Sequence, residues 1–237
     1  MSAFDPAVQA RESRPSLARN ALLACGIAFA LTYSLVQDVV GALLYRGYDP
    51  LSQAVSELSS PGAPTKSAIF VVGLVSTLLM MGFGVGVMMS ARGNRALRAV
   101  GALFVAGGAL WPFWLLFPMS SRGDIQGVTG LADLGHIVLS AITVLLIAAE
   151  ITVGSFALGK TFRLYSLATL AAELGFAIWT FGYIPRVAAG EPTSWMGLLE
   201  RASIGAWLLW TAVLAILLLR RHRGVVVGVF TAKPARA

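Results

Sequence analysis

The sequence predicts an all-α polytopic membrane protein: a bundle of six transmembrane helices, both termini cytoplasmic, with a short interfacial helix after the first span. Three observations carry this. The chain is 57% apolar and only 12% charged, where soluble chains carry about 25% charged residues. Its mean hydropathy is +0.77, and six apolar runs each approach the about 20 residues that a spanning helix needs. Its Lys and Arg residues gather in alternate loops. No polar stretch is long enough to build a soluble domain around its own core. Cys25 is the only cysteine, so an internal disulfide is excluded.

Residues 1–20 are polar, contain Arg11, Arg14 and Arg19, and are expected as a short mobile cytoplasmic arm. The first span is expected at 21–45. A signal peptide is the competing reading, but the run is too long and five more spans follow. In the loop 46–66, Asp49 is an expected N-cap and Pro50 a first helical residue. Leu51, Val55 and Leu58 then make a one-sided stripe suited to a helix on the membrane surface. Ser56 and Glu57 fall beside that stripe.

The second span, 67–90, holds Gly82, Gly84 and Gly86, which permit close helix approach. A basic turn at 91–98 leads to the third span, 99–117. That span ends on Trp111, Phe113, Trp114 and Phe117, an interfacial aromatic cluster. A polar break, 118–133, precedes the fourth span at 134–158. After the turn 159–161 come the fifth span, 162–183, a loop at 185–195, and the sixth span, 196–219. The basic tail is 220–237, so the transmembrane domain is 21–219. The apolar hexamer 225–230 is too short to span and is expected on the inner surface or disordered.

Arg11, Arg14, Arg19, Arg92, Arg95, Arg98, Lys160, Arg163 and the five basic residues of the tail share one side, 13 of the 18 Lys and Arg. The other side holds Arg46, Lys66, Arg122, Arg186 and Arg201. The positive-inside rule places the first set in the cytoplasm. The net charge of +7 is then mostly topology, and nucleic acid is not an expected partner; membrane lipid is.

Most acidic groups consequently fall on the outer side. Asp133, His136 and Ser140, at i, i+3 and i+7, share a face of the fourth span. A charged group inside a span normally faces the bundle interior with a partner. One reading is an outer-leaflet site for a lipid or small amphiphile. In it His136 is the catalytic base or ligand, Asp133 orients it, and Arg201 holds an anionic head group, with Asp38, Glu57 and Ser56 nearby. The alternative is an ion-pair network that packs the helices, with Arg201 joined to Asp38 or Asp133. Glu173 lies about 15 Å into the fifth span, on a stripe with Tyr165, Thr169 and Thr180. It suggests either a proton or cation site of a small proton-coupled transporter, or a packed acid bonded to a neighbouring hydroxyl. Glu150 is expected to pair with a boundary arginine. No ligand-spacing motif for a metal is present, and no cofactor is expected. A further reading is a non-catalytic subunit packed against a partner membrane protein, or a homo-oligomer.

Three stretches carry a resemblance. Asp49-Pro50-Leu51-Ser52 is followed by Val55-Ser56-Glu57-Leu58 and a glycine. Leu116-Phe117-Pro118 is followed by a polar loop and His136. Gly197-Leu198 is followed by Arg201 and then Trp207 or Trp210. In this order and spacing the chain resembles the bacterial six-helix membrane proteins grouped as domain of unknown function 998. The resemblance implies six helices and a bacterial cytoplasmic membrane, and brings no established activity. Family members often have an aspartate soon after the Phe-Pro, where this chain has Met119-Ser120-Ser121. They often have a second histidine before the one matched by His136, where this chain has Asp133. A two-histidine chemistry therefore does not transfer.

Overall fold

The computed structural model describes residues 6–122, 124 and 130–222. The hexamer 225–230, most of the tail and the first five residues of the arm lie outside the described residues. Among the described residues six helical segments are long and apolar enough to cross a membrane. In chain order the elements are α1 (Pro6–Leu31), a π-helical turn (Thr32–Val36), α2 (Gln37–Leu44), a 3-10 helix (Val55–Ser59), α3 (Lys66–Met89), α4 (Arg95–Gly108), α5 (Trp111–Leu116), α6 (Leu131–Gly154), α7 (Lys160–Phe181), α8 (Ile184–Ala188) and α9 (Met196–His222).

Three elements differ from the sequence reading, each for a local reason. The first helix starts at Pro6, so it takes in much of the stretch expected as an arm; Ala, Gln, Arg and Glu there are all good helix formers. The third span breaks after Gly108 and resumes as α5 with Pro112 near its start, because proline has no N–H to continue the ladder. The short helix after the first span is present, but begins at Val55 rather than Pro50. Asp49 forms a tight turn of its own: Oδ1 accepts from the Leu51 N–H at 3.0 Å and Oδ2 from the Ser52 hydroxyl at 2.6 Å. The 3-10 helix is tucked into the protein, with Leu58 fully buried.

The spans pack as a closed ring: α1 against α3, α3 against α4, α4 against α6, α6 against α7, α7 against α9, and α9 back against α1. More of α9 is enclosed than of any other span. At one end the chain turns tightly. Asn94 caps α4 by accepting from the Leu97 N–H at 3.1 Å and donates to the Ala157 carbonyl at 2.8 Å, tying the 90–94 and 155–159 turns together. Above this basic end the interior is solid. Phe29 and Phe104 flank Trp207 at 5.4 and 6.3 Å, and Phe83 meets Phe104 edge-on at 4.9 Å. Here α3 and α4 touch backbone to backbone: a Cβ on Gly84 would sit 2.6 Å from the Gly101 carbonyl oxygen.

The opposite end carries the segments 45–65, 117–122 and 182–195, and two arginines fasten them. Arg122 grips Glu57 with two nitrogens, Nε to Oε2 at 2.7 Å and Nη2 to Oε1 at 2.9 Å, and also donates to the Ser52 carbonyl and the Thr193 hydroxyl, both at 2.9 Å. Arg201 donates to Asp38 at 2.8 Å, to the Tyr48 hydroxyl at 2.7 Å, and to the carbonyls of Pro50, Gln53 and Gly197 at 3.0–3.2 Å.

Candidate functional site

Beneath this cap the inside of the ring is not filled by its own side chains. A cavity of about 210 Å³ lies among the π-helical turn, α6, α7 and α9, covered by the 3-10 helix, α5 and α8. It sits directly above Trp207, the last ring of the packed aromatic core. The spacing that puts Asp133, His136 and Ser140 on one face of α6 turns all three toward this cavity. On α7 the same period brings Glu173, Ala177 and Thr180 to it, and on α9 Glu200, Ser203 and Trp207. The apolar wall includes Ile137, Val144, Ile147 and Ile204.

His136 is held by the residues before its own helix. Nδ1 lies 3.0 Å from the Phe117 carbonyl oxygen, and the Trp114 ring meets the imidazole edge-on at 5.1 Å. A carbonyl can only accept, so Nδ1 carries the hydrogen and, in the neutral ring, Nε2 carries the lone pair. The Phe117 carbonyl thus orients the imidazole. Asp133 is buried and accepts the Ser120 N–H at 2.9 Å, which shapes the chain leading into the helix.

Glu173 stands in the wall of the cavity, 1% exposed, and neither carboxyl oxygen has a hydrogen-bond partner among the described residues. The neighbouring hydroxyls are spent on backbone. Thr180 donates to the Phe176 carbonyl, Thr169 to Tyr165, Ser140 to His136 and Thr143 to Leu139; Ser203 reaches the carbonyl of Glu173 itself at 3.1 Å. The packed alternative, a Glu173 bonded to a neighbouring hydroxyl, is therefore not what forms. Glu200 accepts the Val55 N–H at 2.7 Å and so joins α9 to the cap.

The remaining expected site residues divide between wall and cap. Ser56 lines the cavity, its hydroxyl 3.2 Å from the Met119 sulfur. Asp38, Glu57 and Arg201 do not line it. Arg201 is consumed by Asp38, Tyr48 and three carbonyls, so its expected role as an anion-holding cation is replaced by a structural one. Of its two expected partners it takes Asp38, whose position after the π-helical turn faces the start of α9. Glu150 meets no boundary arginine: it points inward, and the Trp207 indole N–H donates to it at 2.7 Å. Among the described residues no three His, Cys, Asp or Glu side chains gather as a metal site.

In the cap, outside the membrane-spanning helices, two groups are shifted. Burial pushes the Tyr48 hydroxyl up to about 12, against the opposing pull of the hydrogen bond from Arg201. The Ser52 hydroxyl, then the Leu51 N–H, hold the Asp49 carboxyl below its usual range.

Sequence reasoning missed Glu200, Trp207 and Arg122. Glu200, Ser203 and Trp207 were readable from the same i, i+3, i+7 spacing that marked α6. Arg122 was not, since its partner lies 65 residues away in another loop.

These features define a membrane-spanning helical bundle with a polar-lined cavity under a cap of loops. Residues 14–217 match the family described as "Protein of unknown function (DUF998)", and the chain belongs to it. No curated protein and no solved structure matches the chain.

Proposed function

We propose that the protein binds a small amphiphile, or the head region of a lipid, in the cavity beneath the cap. The observation that carries this is Glu173: a buried carboxyl with no hydrogen-bond partner among the described residues, in the wall of a largely apolar cavity with a few other polar groups. Burying a polar group without a partner costs free energy, and a bound molecule that supplies the missing donor recovers it. Pockets of this kind, mostly apolar with a few convergent polar groups, are the usual form of small-molecule sites. His136 adds a second acceptor at Nε2. Transport through Glu173 is the less supported reading, because Phe83, Phe104 and Trp207 fill the interior between the cavity and the basic end.

The basic asymmetry supports an orientation in a bacterial cytoplasmic membrane with the cap facing away from the cytoplasm. Cysteine labelling of Asp124→Cys in a Cys25→Ala background, in intact cells with an impermeant reagent, tests it. The binding reading is tested by purifying the protein in mild detergent and identifying retained molecules by mass spectrometry. The comparison is Ala177→Phe, which fills the cavity from a wall position. A molecule present in the native protein and lost from the variant supports the reading; identical extracts reject it.

A further inference from the structure

We propose that the occupant's head is a protonated amine, with Glu173 as its counter-ion. This rests on the cavity being a binding site, and specifies what it selects.

The argument is one of donors and acceptors. Every side-chain hydroxyl close to Glu173 on α6, α7 and α9 already donates to a backbone carbonyl. Around Glu173 the wall therefore presents mainly acceptors, the two oxygens of Glu173 and Nε2 of His136, whose Nδ1–H is engaged by Phe117, while Tyr33 adds one hydroxyl to the lining. The donors that Glu173 lacks are then supplied by the occupant. An ammonium group supplies three and adds a charge, where a hydroxyl supplies one.

Charge points the same way. The ionisable side chains lining the cavity are Tyr33, Asp133, Glu173, Glu200 and His136, and among the described residues no Lys or Arg lines it. The two nearest arginines are bound in the cap, Arg122 by Glu57 and Arg201 by Asp38. A carboxylate or phosphate head would meet three carboxyl groups and no Lys or Arg among the described residues, and like charges at close range in a low-dielectric site repel strongly.

Size limits the rest. At about 30 Å³ per water in the liquid, a cavity of about 210 Å³ has room for about seven waters, or a short alkyl chain with a single polar head.

The test uses three probes of equal chain length: heptylamine, heptan-1-ol and heptanoate. Each is titrated at pH 7 into the protein in phosphatidylcholine nanodiscs, with calorimetry as the readout. Ala177→Phe subtracts partition into the lipid. The expected result is that heptylamine binds about tenfold or more tighter than heptan-1-ol, the margin of a charge-assisted over a neutral hydrogen bond. Heptanoate should bind weakest. Glu173→Gln should bring heptylamine down to near the level of heptan-1-ol, whose binding should change far less because the amide oxygen still accepts one hydrogen bond. Equal binding of all three probes, or preference for heptanoate, overturns the amine assignment and leaves the cavity a binding site. No difference between native protein and Ala177→Phe for any probe overturns both. Should Glu173→Gln fail to fold, the ranking of the probes on the native protein decides alone.

Discussion

Glu57 and Arg122 meet in a two-pronged ion pair across 65 residues of sequence, with the carboxylate 4% exposed and the guanidinium 34% exposed. Glu57 also accepts the Ala54 N–H and the Gln53 amide, both at 2.8 Å. Its charge is therefore fully coordinated, and it organises the 3-10 helix from within.

The pair should show a marked asymmetry. Arg122→Ala leaves Glu57 two of its donors and admits water through the space vacated, so the cost should be about 2 kcal/mol, below the about 3–5 kcal/mol for breaking a fully buried pair. Glu57→Ala removes the acceptor on which four donors converge and should cost more. Thermal melts of both variants in the same detergent check the order; equal losses would contradict it.

Arg201 and Asp38 should behave differently. The Asp38 side chain is 49% exposed, that of Arg201 16%. Asp38→Asn should cost no more than about 1 kcal/mol, as for other exposed pairs. Arg201→Ala strips donors from three carbonyls and the Tyr48 hydroxyl as well, and should cost about 3–5 kcal/mol. The double variant Asp38→Asn/Arg201→Ala should melt with Arg201→Ala alone. Rescue by the second substitution would show that the ion pair, and not the carbonyl clamp, is what Arg201 provides.

The α3–α4 seam should tolerate no side chain. Gly84→Ala drives a methyl group into the Gly101 carbonyl, whereas a Cβ on Gly175 meets nothing within 4 Å. Gly84→Ala should lower the melting temperature by several degrees, in line with about 1–3 kcal/mol for overpacking. Gly175→Ala should leave it unchanged or raise it, since alanine is the better helix former.

Tyr48 gives the cap a dependence on alkaline pH. Its hydroxyl stays protonated in the folded protein up to about 12, while an unfolded tyrosine titrates near about 10. Between these values the unfolded chain has released a proton that the folded one retains, so stability falls as pH rises through this window and is fully present below it. Melts of the native protein and Tyr48→Phe from pH 8 to 12 should keep a constant offset up to about pH 10 and converge above it. Parallel curves would show that the cap opens before the hydroxyl titrates.

The spans were legible because a membrane demands long apolar runs, and a helix exposes its period in sequence. Asp133, His136 and Ser140 were found that way, and they do face one cavity. What sequence does not display is which side chain a buried acid will meet. Glu150 lies near a basic turn in sequence, yet its donor is the indole of Trp207, 57 residues on. The clamp of Arg201 is similarly hidden, since three of its acceptors are backbone carbonyls, which every residue possesses. The third span read as continuous because hydropathy does not register the N–H that Pro112 lacks.

The closure of the ring by α9 sets an order on biogenesis. Chains emerge from the ribosome N-terminal end first, and α9 is the last of the six spans to do so. Until it arrives, the carbonyls of Pro50 and Gln53 wait without their arginine, and the Val55 N–H waits without Glu200. The cavity wall that faces Glu173 meanwhile lacks Glu200, Ser203 and Trp207, which α9 supplies. A five-span intermediate therefore carries a polar flag in the bilayer that the complete protein hides, and arrival of the final helix is the event that removes it.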